Sequence, residues 1–563
     1  MAGTPLVVLV GLMSDRACKW FATAVSGVTA AAALYLAVTF HSAYTEAFQG
    51  WLPSLSISIE VQVDGLSVLL SAFVALLSFA IIVYSTGNMR HERGQARFYS
   101  LVLLFVGAML GLVMAGNLVQ LYFFWEIVGI CSALLIAFWN DREVARRAGF
   151  KAFIVTRFGD IGLLLGVLLI LATIHTADFG AISAAVSGHS ANGTWTLIGL
   201  LILLGAMGKS AQVPLQTWLP DAMEGPTPVS ALIHAATMVN AGVYLVVRMF
   251  PLFDSSTLLL SAVTVIGLLS MVVGAASATA ATDLKRVLAY STISQLGLMF
   301  VAIGVGSWTG AIYQLISQGL FKALAFMAAG SVIEATGTRK LDEMGGLRRT
   351  MKYTYVAFLL AALAMVGFPP LIGFWTKDAI LSSALSSNTS VFLVIVAAST
   401  LTSFYSFRAL IKTFHGVGGR EAKESSGLMV APMMVLVVSV VVGWLILLSQ
   451  TLVPVQSAAL SLPVFLASIS ALGLGLAVSY YAFSARREAT RRLVQENSVI
   501  RGTCSLLLAG FGFDRFYSFL VRLIGPPLVR GATAIQTGVL GKNLALLVGA
   551  LLVLILLAVT GVI

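Results

Sequence analysis

Charge is scarce in this chain. Asp, Glu, Lys and Arg together make up 10% of its 563 residues, while hydrophobic side chains make up 59%. A soluble domain carries about a quarter charged residues, and no soluble core could hide so much apolar surface, so a water-soluble globular protein is excluded. Cysteine is nearly absent. Cys18, Cys131 and Cys504 stand far apart without ligand spacing, which argues against an iron–sulfur cluster, a zinc site or a disulfide framework. No glycine-rich loop follows a strand, so bound NAD, flavin or ATP is not expected, and the sequence assigns no cofactor and no metal. The net charge of +11 does not indicate nucleic acid. The basic residues gather in short loops (Arg90, Arg93 and Arg97; Arg142, Arg146 and Arg147; Arg348, Arg349 and Lys352; Arg486, Arg487, Arg491 and Arg492), where membrane proteins place them.

Long apolar runs fill the rest, and the mean hydropathy is +0.96. A membrane-crossing helix needs about 20 such residues. The runs predict an all-α polytopic membrane protein with roughly fourteen to sixteen transmembrane helices; they are too long for barrel strands and lack the alternation of a barrel. The expected organisation is N-terminal helices over 1–117, a five-helix unit over 118–250, a connecting helix and loop over 251–289, a second five-helix unit over 290–413, and C-terminal helices with a basic loop over 414–511. A shortened lateral amphipathic segment over 512–543 and an anchoring helix over 544–563 follow. The apolar stretch 5–13 is too short to span and predicts a half-length first helix.

An ionisable residue at bilayer depth costs about 2.5–3.5 kcal/mol on insertion scales, so it is read as functional until shown otherwise. Glu126, Lys209 and Lys322 lie mid-span, where snorkelling to the interface is difficult. His234 sits in ALIHAATM, and Lys377 in GFWTKDAIL beside Asp378. Arg157 and Asp160 are three apart, a spacing that also suits a plain ion pair at the membrane edge. His234 also reads as a packing residue, and Lys377 with Asp378 as a helix-end pair. A buried amine and a buried carboxylate are each driven toward the neutral form, and each restores the other's charge when they meet. Such a pair is a distance-dependent proton switch. Prolines mark where the helices break: Pro214 follows Lys209, and Pro369 and Pro370 precede Lys377. Broken helices at membrane depth line cavities or pack within protein, and transporters place ion sites at paired breaks. Lys209 and Lys377 are 168 positions apart, which predicts two inverted five-helix repeats.

The motifs FWEIVGICS, KAFIVTRFGD, GKSAQVPLQTWLPDAMEGPTPVSALIHAATMVNAGVYL, TDLKRVLAYSTISQLG and GFWTKD resemble those of the antiporter-like membrane subunits of respiratory complex I and multisubunit cation/proton antiporters, most nearly the type called NADH dehydrogenase chain L or chain 5. The resemblance covers about residues 60–415. It implies that Glu126 and Lys209 form a coupling pair, that His234 links them to the central Lys322, that Lys377 serves exit, and that Arg157 and Asp160 belong to the surrounding charged network. It also implies a fold of two inverted repeats, partner subunits in a membrane complex, and H+ (or Na+) as the transported ion. Three departures stand out. Gln314 and Gln318 occupy positions where the family usually has histidine, so the relay near Lys322 is altered, because glutamine orders water but does not titrate. The lateral segment is short, under ~50 Å even if wholly helical, and Pro526 and Pro527 are expected to interrupt it. The stretch 95–118 and the short first helix read more like the cation/proton antiporters.

The leading expectation is a proton-translocating subunit of a complex I-like assembly with no redox site of its own. The alternatives are a subunit of a cation/proton antiporter or of an ion-driven bicarbonate/CO2 uptake system, and a scaffold that has lost conduction.

Overall fold

The computed structural model describes residues 1, 3–52, 57–187, 193–415, 422–445, 452–453 and 461–535. Among the described residues, eleven helices are long and apolar enough to cross a membrane, and three shorter apolar helices, Gly193–Lys209, Lys352–Val366 and Gly427–Val442, add to them. The protein is an all-α polytopic membrane protein. Among the described residues the one sheet is an antiparallel hairpin of β1 (Tyr44–Leu52) and β2 (Ile57–Val63), which the hydropathy reading missed although ISIEVQV alternates as a strand should.

The chain divides into two compact units, Met1–Leu508 and Ala509–Ile563. The first unit opens with the half-length α1 (Gly3–Met13), then α2 (Asp15–Thr39), the hairpin, α3 (Gly65–Asn88) and α4 (Gln95–Val113). Polar residues at the ends start the helices. Asp64 caps α3 in a reciprocal box with Ser67, Asn117 caps α5 (Leu118–Ile136), and Asp283 caps α14 (Leu284–Gly304). Asp64 also receives the guanidinium of Arg248. Burial raises its carboxyl, but the Arg248 hydrogen bond and charge outweigh this and hold it below the usual carboxylate range.

The functional elements follow in order. After α5 come the long α6 (Glu143–Ile174), α7 (Phe179–Ser187) and α8 (Gly193–Lys209). The chain then breaks over residues 210–214, with a cis bond before Pro214, and winds through α9 (Trp218–Asp221) to α10 (Thr227–Ala231), a π turn (Leu232–Ala236) and α11 (Met238–Arg248). The short α12 (Phe250–Asp254) leads to α13 (Thr257–Ala280), α14 and α15 (Trp308–Thr336). A second break, with a cis bond before Pro370, separates α16 (Lys352–Val366) from α17 (Ile372–Ser387), and Gly367 ends α16 in the left-handed conformation at φ +83°. Then come α18 (Thr389–Leu410), α19 (Gly427–Val442), α20 (Leu462–Tyr480), the basic α21 (Arg487–Glu496) and α22 (Ser498–Leu508).

Burial sorts these helices. The most apolar stretches of Thr227–Arg248, Leu284–Gly304 and Trp308–Thr336 are 100%, 94% and 94% buried, whereas those of α2 and α20 are only 17% and 22% buried. The first three therefore form a protein-enclosed centre where polar side chains meet no lipid, and the less enclosed helices can carry such side chains only on their inward faces. With no hydrophobic drive between helices in lipid, small residues let backbones approach. Gly159 of α6 meets Gly208 of α8 in this way: a Cβ on Gly159 would stand 2.9 Å from the Leu204 carbonyl and 3.1 Å from the Gly208 Cα. Gly267 of α13 and Gly297 of α14 face each other as closely.

The second unit is described through α23 (Phe513–Ile535), which runs unbroken across Pro526 and Pro527. The expected interruption does not occur. The two prolines free only the carbonyls one turn back, at Arg522 and Leu523, and both residues are exposed, so the freed carbonyls are not sealed in a core. The end of the lateral segment and the anchoring helix of 544–563 lie outside the described residues.

Gly159→Leu is expected to force α6 and α8 apart and to lower stability by on the order of 1–3 kcal/mol. A thermal melt of the purified protein that matches wild type would contradict the close-packing argument.

Candidate functional site

The site consists of buried and half-buried polar groups in three clusters. In the first, α5 supplies Glu126, α6 supplies Arg157 and Asp160, and α8 ends on Lys209. Asp160, its side chain 2% exposed, ion-pairs with Arg157 at 3.1 Å and with Lys209 at 3.2 Å, and accepts a hydrogen bond from the Trp125 indole. Arg157 also ion-pairs with Glu126. The sequence reading joined Glu126 to Lys209 directly; instead the carboxylate against Lys209 is that of Asp160, and Glu126 is engaged by Arg157. Nor do Arg157 and Asp160 sit at a helix end. They are deep inside α6, which begins fourteen residues before Arg157 at Glu143. Two anions balance two cations, so the cluster tolerates its burial. Gly129, one turn after Glu126, makes the room: a Cβ there would lie 2.4 Å from Lys209 Nζ and 2.6 Å from an Arg157 nitrogen.

The second cluster surrounds His234 and Lys322. His234 lies in the π turn, wholly buried, with its ring 4.7 Å from that of Phe326 and neither ring nitrogen hydrogen-bonded. A π turn disturbs the backbone ladder, and side chains take up the carbonyls: Gln318 donates to His234 O at 2.9 Å, Asn240 to Ala235 O at 2.7 Å and Thr237 to Leu232 O at 2.7 Å. Gln314, Gln318 and Lys322 recur every four residues and share one face of α15. Lys322, fully buried, donates to Leu288 O at 3.2 Å, to Ser291 Oγ and to Met365 Sδ at 3.5 Å. All three acceptors are neutral.

The third cluster lies at the second break. Lys377 donates to Met365 O. It does not pair with Asp378, whose Oδ1 is unpartnered; neighbours in a helix point about 100° apart, so the expected helix-end pair does not form. Gln314 donates to Gln295 Oε1 at 2.8 Å and accepts from Thr376 Oγ1 at 2.5 Å, tying α14, α15 and α17 together. Met365 is touched by both lysines, through its sulfur by Lys322 and through its carbonyl by Lys377.

Several participants were not singled out from the sequence. Trp125, Gly129, Ser291, Gln295 and Met365 carry no charge and look like ordinary membrane-helix residues. Lys285 lies in TDLKRVLAY, where it reads as a helix-end cation. It is 2% exposed and donates to Met223 O at 3.0 Å and Gly225 O at 2.8 Å.

Comparison with known proteins gives a consistent result. The family described as NADH:quinone oxidoreductase/Mrp antiporter, TM, matches residues 115–403, and the one described as NADH-ubiquinone oxidoreductase (complex I), chain 5 N-terminus, matches 51–99. NAD(P)H-quinone oxidoreductase chain 5 of Synechocystis sp. is 42% identical over 405 residues, covering 69% of this chain and 59% of that protein. NADH-quinone oxidoreductase subunit L of Rickettsia conorii is 42% identical over 397 residues, 68% of this chain and 60% of that protein. Among solved structures, a chain of the Mrp complex from Dietzia sp. superposes with a TM-score of 0.80 at 28% identity, over 100% of this chain and 61% of that one. The chain thus spans about three fifths of the length of these relatives.

Gly129→Ala is expected to leave folding intact, because the added methyl meets only the flexible ends of Lys209 and Arg157. It should still cut transport about ten- to a hundredfold by displacing both cations. Wild-type flux in reconstituted vesicles would show that the geometry around Asp160 does not matter to transport.

Proposed function

The chain belongs to the NADH:quinone oxidoreductase/Mrp antiporter family, and from that membership we propose that it is a proton-translocating antiporter-like subunit of a complex I-like assembly in a bacterial plasma membrane. A partner subunit carries the driving reaction. The chain reads as two inverted five-helix repeats, 118–250 and 290–413, each with one broken helix and a lysine beside the break. The proton path runs from Glu126, Arg157, Asp160 and Lys209, past His234, to Lys322 and on to Lys377, with Gln314 and Gln318 alongside. Segment 512–543 would lie along the membrane and clasp a neighbouring subunit.

One observation carries this reading. Three clusters with ionisable groups, accompanied by glutamines, occur within helices that are otherwise apolar, and the ion pairing changes from one to the next. Lys209 has a carboxylate; Lys322 and Lys377 have only neutral acceptors. Buried lysine changes charge readily in such surroundings, which suits it to hand protons on. Movement of Arg157 between Glu126 and Asp160 would strengthen or weaken the hold of Asp160 on Lys209. That is a switch made of two carboxylates and two cations, and it replaces the simple Glu–Lys pair. The unpartnered atoms of Ser317 and Gln318, on the helix of Lys322, and of His234 can order water between the charged groups.

A second reading is favoured by the Mrp complex, one chain of which covers the whole of this one: a subunit of a cation/proton antiporter. Proton flux driven by an imposed sodium gradient, with no electron donor present, would decide for it.

Lys209→Ala and Glu126→Ala are expected to abolish proton flux in vesicles carrying a pH dye while the complex still assembles, and Glu126→Asp to be milder because it keeps the carboxylate. Normal pumping by both alanine variants would sink the switch. Gln318→His is expected to be tolerated, since an imidazole N–H can replace the amide as donor to His234 O. Loss of flux across pH 6–8 would give Gln318 a dedicated role instead.

A further inference from the structure

α14 carries more than its contacts to Lys322. Lys285, Leu288, Ser291 and Gln295 follow at steps of three, three and four, so they share one face of a helix that is almost wholly enclosed by protein. Three of the four positions are already joined to the row: Leu288 O and Ser291 Oγ hold Lys322, and Gln295 holds Gln314 next to Thr376 and Lys377. Lys285 lies one turn from Leu288, ~4.5 Å along the helix axis, at the end of the stripe. The other side of Lys285 faces a charged rim. Arg339 pairs there with Glu224 at 3.1 Å and with Asp283 at 3.3 Å, and both carboxylates remain 18% exposed. The groups that act electrostatically on Lys285 are Arg339, Asp283 and Glu224, and His234 in turn feels both Lys285 and Lys322. A buried lysine thus stands between partly exposed carboxylates and the central buried amine, hydrogen-bonded only to the Met223 and Gly225 carbonyls.

We propose that Lys285 is a proton-relay residue on the inlet side of Lys322, receiving protons at the Glu224/Asp283 rim and passing them along the α14 face. The inference rests on the transport reading above and adds the port through which the centre is reloaded. In one cycle the neutral amine of Lys285 takes a proton from water held at the rim carboxylates and becomes an ammonium. It gives that proton through water to the neutral amine of Lys322, and both lysines return to their starting state once Lys322 discharges toward Lys377. No oxidant, reductant or covalent step is involved. The competing role is a bolt that fastens the segment after the first break to α14, since Lys285 caps carbonyls of that segment.

Arginine separates the two roles. A guanidinium keeps donors for both carbonyls but cannot deprotonate, so Lys285→Arg preserves a bolt and blocks a relay. The whole complex carrying Lys285→Arg, reconstituted in vesicles with a pH dye, is expected to assemble and melt as wild type and to lose at least about tenfold in proton flux. Wild-type flux overturns the inference. Should the larger side chain prevent assembly, Glu224→Gln is the measurement: it keeps an acceptor for Arg339 and removes a proton-exchanging group. Its flux is expected to fall with a changed pH profile, and an unchanged profile and rate overturn the proposal. Lys322→Arg run in parallel keeps the two claims apart. If it too pumps normally, the transport reading fails; if only Lys285→Arg does, the inlet alone is wrong.

Discussion

Asp160 is a carboxylate that almost no solvent reaches, and the rest of the first cluster is arranged by what it needs. A buried anion must be met by cations and by hydrogen-bond donors. One cation, Arg157, comes from its own helix. The other comes from α8, and it can arrive only if α6 and α8 touch backbone to backbone, which explains Gly159 against Gly208. It can arrive at the right height only if α8 stops at Lys209, which is where the chain breaks. Trp125 adds the remaining donor from α5, and Gly129 on the same helix leaves the cavity that the cation ends occupy. A local electrostatic demand thus fixes a helix crossing, a helix end and a glycine.

Beyond that cluster the chain solves a different problem. Lys322 and Lys377 have no anion at hand, and their surroundings are carbonyls, a hydroxyl and a thioether. The enclosed helices α14 and α15 answer with polar stripes facing each other, Lys285 to Gln295 on one and Gln314 to Lys322 on the other, cross-linked at Ser291–Lys322 and Gln295–Gln314. Met365 joins this pair to the second break. Polar contacts thus run from α14 through Lys322 and Met365 to Lys377 although no single helix is polar, because each contributes only one face.

Fold class was legible from charge scarcity and run length alone, since both follow directly from the solvent. The breaks were legible because proline and glycine act locally. Charged members of the row could be found because a charge in an apolar run has no bland explanation. What could not be read was pairing. Whether Glu126 or Asp160 faces Lys209 depends on how deep α6 runs beside α8, and that is set by glycine contacts between segments fifty residues apart in sequence. Neutral members such as Met365 and Gln295 matter only through position. Lys285 escaped notice because a lysine at the start of a helix is usually solvated, and only the fold shows it enclosed. Pro526 and Pro527 misled in the opposite direction: a rule about enclosed helices was applied to one whose freed carbonyls belong to exposed residues.

The π turn at Leu232–Ala236 has a mechanical consequence. The helix that contains it is walled in on every side and has no room to slide or tilt as a rod. A π turn stores one residue beyond what an α ladder of the same rise requires, and here the carbonyls it loosens are already held by side chains from Gln318, Asn240 and Thr237. The wall between the two lysine-bearing halves therefore contains slack at one point, and that point is His234. Rewinding within five residues would swing its ring while both flanking helices stay still, so reorientation at the centre of the protein is uncoupled from any change in its outline.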